Sequence, residues 1–107
     1  MIWKVHYTSL ARYDLKITGE YISEKLLAPD AASRQVERIM GAIQKLRDMP
    51  LRNPVYEDAI WQDFEIRYTR VDNYLIFYIV IEELAEVNVV RIMYRGRDIR
   101  KQLEKSE

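Results

Sequence analysis

The chain has 107 residues, 17 lysines and arginines against 17 aspartates and glutamates, and no cysteine. That length is one domain, residues 1–107, able to bury roughly two-thirds of the surface its unfolded form exposes without covalent staples. Balanced charge excludes a protein that coats nucleic acid, whose affinity grows with the phosphates it neutralises, and the missing cysteines exclude a disulfide framework or a thiolate metal site.

The opening MIWKVHYTSL carries Lys4 and His6 where a signal peptide needs an unbroken apolar core, and no apolar run approaches the roughly 18 residues of a membrane span. A cytoplasmic protein is expected. Trp3, Val5 and Tyr7 alternate with Lys4, His6 and Thr8, the period of a half-buried strand. Thr8 or Ser9 then suits the cap of a first helix, by accepting from a free N–H of its first turn. Along it Ala11, Leu15, Thr18, Ile22 and Leu26 form a stripe widened by Leu10, Ile17 and Tyr21, with Gly19 as its weak point.

Pro29 ends that pattern, and Pro29 or Asp30 begins a second helix with Ala32, Val36, Ile39, Ile43 and Leu46 on one face. Two such stripes pack as a helix hairpin. Pro50 and Pro54 exclude a helix beyond it, so residues 49–61 read as a loop with Trp61 as an aromatic anchor. In DFEIRYTR, Phe64, Ile66 and Tyr68 point one way and Glu65, Arg67 and Thr69 the other. VDN is a turn, since Asp and Asn bond their own backbone there. NYLIFYIVI is apolar on both faces, as a central strand would be. After the acidic turn EELAE, the last strand sets Val90, Ile92 and Tyr94 against Val89, Arg91, Met93 and Arg95. A short helix around residues 98–105 closes the chain. The fold class is α+β: a helix hairpin on one face of a small, largely antiparallel sheet, in the order β-α-α-β-β-β.

On this reading Arg91, Met93 and Arg95 share the open face with Arg67, Glu65, Lys4 and His6. Arg97, Arg100 and Lys101 extend the positive charge past the strand end. Such a mixed basic and apolar face suits binding, whereas a Glu65 pair with Arg67 or Arg91 would be worth only about 0.2 to 1 kcal/mol. The single histidine, His6, is a poor catalytic candidate on a strand. No glycine-rich phosphate loop or metal-ligand spacing occurs.

In order and spacing, YTSLARYDLKITGEYI, PDAA, LRDMP, NYLIFYIV and RIMYRGRDI resemble the RelE/ParE superfamily of bacterial toxins. The resemblance covers nearly the whole chain and implies the toxin half of a type II toxin-antitoxin module of the plasmid stabilisation type. Such a toxin acts without cofactor or small-molecule substrate and is neutralised by an antitoxin wrapped on its surface. RelE-like toxins cut messenger RNA on the ribosome with basic residues of the second and third strands, a late arginine and often a C-terminal tyrosine or histidine. Arg67 and Arg70 match the second-strand positions, and Arg95 or Arg97 the late arginine. Leu75 stands where that branch carries an arginine, and only Tyr94 remains to supply a hydroxyl. ParE-like toxins inhibit DNA gyrase without a catalytic set, and NYLIFY is closer to that branch. Arg67, Arg91, Arg95, Arg97, Arg100 and Lys101 are then contacts for the target or the antitoxin. A non-toxic module that retains only antitoxin binding is a third reading.

Overall fold

The computed structural model describes residues 2–57 and 64–95. Strand β1 (Lys4–Tyr7) leads into helix α1 (Ser9–Glu20), which widens into a π turn at Tyr21–Lys25. Helix α2 (Pro29–Gln44) follows, then 3-10 turns at Lys45–Arg47 and Pro50–Arg52, and strands β2 (Ile66–Val71), β3 (Tyr74–Ile81) and β4 (Glu86–Tyr94). The sheet order is β1-β4-β3-β2, with β1 parallel to β4 and the other pairs antiparallel. Among the described residues no helix is long and apolar enough to cross a membrane. The expected C-terminal helix and the Trp61 anchor lie outside the described residues.

Local chemistry explains the helix ends. Thr8 Oγ1 accepts from the Ala11 N–H at 3.2 Å and donates to the Val90 carbonyl, so one hydroxyl caps α1 and ties it to the sheet. Leu27, at φ 52°, ends the first helical segment in the left-handed region, and Pro29 starts α2 where its missing N–H costs nothing. The expected stripes are buried at Ala11, Ala32, Ile39, Ile43 and Leu46, but Leu10, Tyr21 and Leu26 of the first stripe are exposed. Gly19 is a contact point between the helices: a β-carbon there would lie 3.3 Å from Val36 Cγ2.

The two faces of the sheet carry separate apolar clusters. Toward the helices, Tyr74, Ile76 and Tyr78 of β3 join Val87, Val89 and Ile92 of β4 beneath Ala11, Ile39, Ile43 and Leu46. On the outer face Ile66, Leu75, Phe77 and Met93 pack with Tyr56, Tyr68, Ile79 and Val90. The Tyr56 ring meets those of Tyr68 and Phe77 edge-on at 5.5 and 5.0 Å, a favoured aromatic arrangement. Val55 and Tyr56 reach this position by pairing with the outer edge of β2.

Face assignments in β2 and at Val89 and Val90 of β4 are corrected by this packing. In β2, Ile66 and Tyr68 belong to the outer face, so Arg67, paired with Tyr78, lies on the helix side. In β4 the partners run Phe77 with Arg91 and Tyr78 with Val89, leaving Val90 as an extra residue. This bulge re-aims the strand, putting Val89 on the helix side and Val90 on the outer one. Arg91, paired with Phe77, keeps the outer side expected of it, but at the open edge of β4 its guanidinium reaches round to Asp14 of α1. Ile92 and Met93 lie on the helix and outer sides as expected.

Candidate functional site

Beyond Tyr7 strand β1 ends, leaving the outer edge of β4 to be satisfied by other groups. Thr8 N–H donates to the Val89 carbonyl and its hydroxyl to that of Val90. Asp14 of α1 then accepts from the Ile92 N–H at 2.9 Å and takes the Arg91 fork through Nε at 2.8 Å and Nη2 at 2.9 Å. The two side chains keep only 14% and 10% of their surface exposed. Their separation by 77 positions makes this part-buried pair a clamp between the first helix and the last strand. Arg91 is therefore not available as a free contact.

Above that clamp, α1, the π turn, the start of α2 and the end of β4 enclose a groove of about 600 Å³. Its exposed wall carries Tyr13, Tyr21, Leu26 and Tyr94, with Asp14 and Arg91 also lining it. Tyr94 stacks edge-on against Tyr74 at 5.5 Å. The Ile92 N–H points to the free edge, so strand alternation sends the Tyr94 N–H the same way. Past it, Arg95 is exposed and anchored through its own N–H to the Asn73 carbonyl.

Arg67 sits elsewhere. Its guanidinium donates to the Leu51 and Asn53 carbonyls, pinning the loop after α2. The buried Tyr78 hydroxyl, accepting from Asn53 Nδ2 at 2.9 Å and donating to the Pro50 carbonyl, completes that network. Burial pushes the Tyr78 pKa above its ordinary 10.0, against the opposing Asn53 hydrogen bond and the Arg67 and Arg52 charges. Tyr78→Phe strands two buried polar partners and should cost about 1–3 kcal/mol in urea unfolding. Because the folded pKa is the raised one, the tyrosine's stabilising contribution is complete below about pH 10 and lost as pH rises through the folded value. The Phe variant should lack that part of the alkaline decline; an identical alkaline profile would contradict this assignment.

Arg67 and Tyr94 face Tyr78 and Tyr74 respectively from opposite sides of β3, and so lie about 16 Å apart across the sheet. Leu75 is 8% exposed within the outer apolar cluster. His6 lies 3.7 Å from Glu86 at an exposed position. Arg97, Arg100 and Lys101 lie outside the described residues. Among the described residues no three His, Asp or Glu side chains are grouped to hold a metal.

Several residues missed in the sequence organise this region: Asp14, Asn53, Tyr56 and Tyr78. Only Asp14 left a signal, an acid three residues after Ala11 and four before Thr18 within the apolar stripe, where a buried partner is required.

Residues 5–99 match the family described as ParE toxin of type II toxin-antitoxin system, parDE. The chain belongs to this family. Its fold is also that of solved toxin structures. The chromosomal ParDE system of P. aeruginosa superimposes with a TM-score of 0.71 at 16% identity, covering 87% of this chain and 96% of that one. The toxin-antitoxin complex RelBE2 of Mycobacterium tuberculosis gives 0.62 at 22% identity over 91% and 95%. A free-state, arginine-substituted RelE of E. coli gives 0.61 at 13% identity over 99% and 94%. No curated protein matches the sequence. This ParE-family chain thus shares its fold with both ParDE and RelE-type toxin structures.

Proposed function

We propose that this ParE-family toxin arrests growth by inhibiting DNA gyrase and is neutralised by a cognate antitoxin bound directly to it. The observation that carries the choice of target is the separation of the nuclease candidates. Arg67 is committed to the loop carbonyls about 16 Å from Tyr94, and Leu75 is buried where an RNA-cleaving toxin carries an arginine. General acid-base cleavage needs its groups within reach of one phosphate. A gyrase inhibitor needs only a contact surface, and Arg95 beside Tyr94 offers one at the exposed end of β4. Plasmid extracted from cells expressing the toxin alone should be relaxed or cleaved. Growth arrest with normally supercoiled plasmid would transfer the proposal to ribosome-dependent mRNA cleavage, and normal growth would favour the non-toxic antitoxin-binding module.

The antitoxin is assigned to the groove between the helix hairpin and β4. Both binding modes expected of an antitoxin fit there: an amphipathic helix against Tyr13, Tyr21 and Leu26, or a strand on the free β4 edge. Tyr21 is 47% exposed, so Tyr21→Glu should leave the thermal midpoint unchanged while weakening antitoxin binding by about tenfold, as loss of an aromatic anchor does. Unchanged affinity in a calorimetric titration would place the antitoxin on another face.

A further inference from the structure

On the other side of the molecule, α2 and β2 enclose a cleft of about 430 Å³ into which Arg38, Lys45, Arg52 and Arg70 converge, with no carboxylate in its lining. Each cation is placed by local structure. The bidentate contact with Asp72, at the β2–β3 turn, neutralises Arg38, and hydrogen bonds from Arg38 and Gln35 hold that carboxyl below its ordinary range. Arg70 donates Nε to the Asp72 carbonyl, which leaves its two terminal nitrogens as donors. Arg52 rides on the 3-10 turn that Tyr78 and Arg67 pin down. Lys45 follows the last turn of α2. Among the described residues Lys45, Arg52 and Arg70 have no acidic partner. Gly41 leaves the α2 wall open, with nothing within 4 Å of a β-carbon placed there.

We infer that this cleft is an oxyanion site that takes phosphates of a nucleic-acid backbone. Guanidinium forks pair bidentately with phosphate. Tyr68 N–H donates outward to Pro54, so alternation brings the Arg70 N–H to the same edge of β2, beyond the segment that covers it. A protein partner is gripped by aromatic and apolar anchors, and this cleft lining contains no aromatic residue. A phosphate backbone needs only cations and N–H donors. In a chain of zero net charge the contact is local, and with three unpaired cations log K against log salt should fall with a slope of about −2.7 on duplex DNA. The site is independent of the gyrase reading, because binding is measured without gyrase.

The test is fluorescence anisotropy of a labelled DNA duplex with the full chain at low salt. The variant K45A/R52A/R70A is compared with K25A/R12A/R34A, which removes the same charge from exposed positions elsewhere. The cleft variant should lose at least about tenfold in affinity and the control under about twofold, the difference expected of local rather than diffuse contacts. The charge-conserving variant K45R/R52K/R70K should bind more tightly than the alanine variant but more weakly than the wild type, because lysine keeps the charge and loses the fork. Equal losses in both alanine variants, displacement of the DNA by polyglutamate as readily as by unlabelled duplex, or no binding by the wild type would overturn the inference. Should the alanine variant fail to fold, the wild-type salt slope still decides, and a slope near zero refutes the site.

Discussion

Asp14→Ala is expected to destabilise the protein by about 3 kcal/mol, the low end of the cost of leaving one member of a buried ion pair without its partner, because this pair is part-buried. Two losses combine. The Arg91 guanidinium, 14% exposed, loses both contacts, and the Ile92 N–H loses the acceptor that replaces a neighbouring strand at the β4 edge. Domains of this size hold only about 5–15 kcal/mol in all, so the midpoint should fall by on the order of 15 °C. Arg91→Met alone should cost less than Asp14→Ala, because the Ile92 N–H keeps its carboxylate. The double variant D14A/R91M should recover part of the single-variant loss, since no unpaired charge remains. Urea unfolding of the three variants measures the coupling, and a loss below about 1 kcal/mol for Asp14→Ala would reduce the clamp to an ordinary surface pair.

This clamp also shows where sequence reasoning stops. Both helices, the four strands and the antiparallel hairpin of β2 and β3 follow from periodicities of 3.6 and 2, because each element buries a single stripe or face. Face assignment failed in β2 for a physical reason: β3 is apolar on both sides, so alternation in β2 could not say which side the helices cover. Tyr56 then settles it by covering the outer face from a loop. In β4 the extra residue Val90 breaks the period of two, and no local pattern in VNVVRIMYR marks it. Arg91 keeps its expected side, but β1 ends at Tyr7, and across that open edge its guanidinium joins Asp14 in the clamp instead of an exposed basic face. The Tyr78 network is equally silent in sequence, since it joins a central strand to backbone carbonyls 28 positions away. Periodicity puts Tyr21 on the apolar stripe of the first helix and gives no sign of Tyr13; both are exposed in the groove because α2 does not cover them. Tyr94 was identified beside the arginines, and it does line the groove next to Arg95.

The variant R95A/R97A is expected to abolish growth arrest while changing stability by no more than about 0.5 kcal/mol, as surface substitutions do. Arg95 is exposed, and its fixed position comes from its backbone N–H on Asn73, which alanine preserves. The contrast with Arg91 is the informative part. Substituting Arg91 should lower the unfolding midpoint and affect toxicity only through folding, whereas the Arg95 and Arg97 pair should affect toxicity alone. A large fall in the midpoint of R95A/R97A would make these arginines structural.

The most direct measurement is a DNA gyrase supercoiling assay with purified, antitoxin-free toxin beside R95A/R97A. The account predicts that the wild type blocks supercoiling or traps cleaved DNA, that the variant does neither, and that added antitoxin restores activity. Full gyrase activity in the presence of toxin that still arrests growth would contradict it.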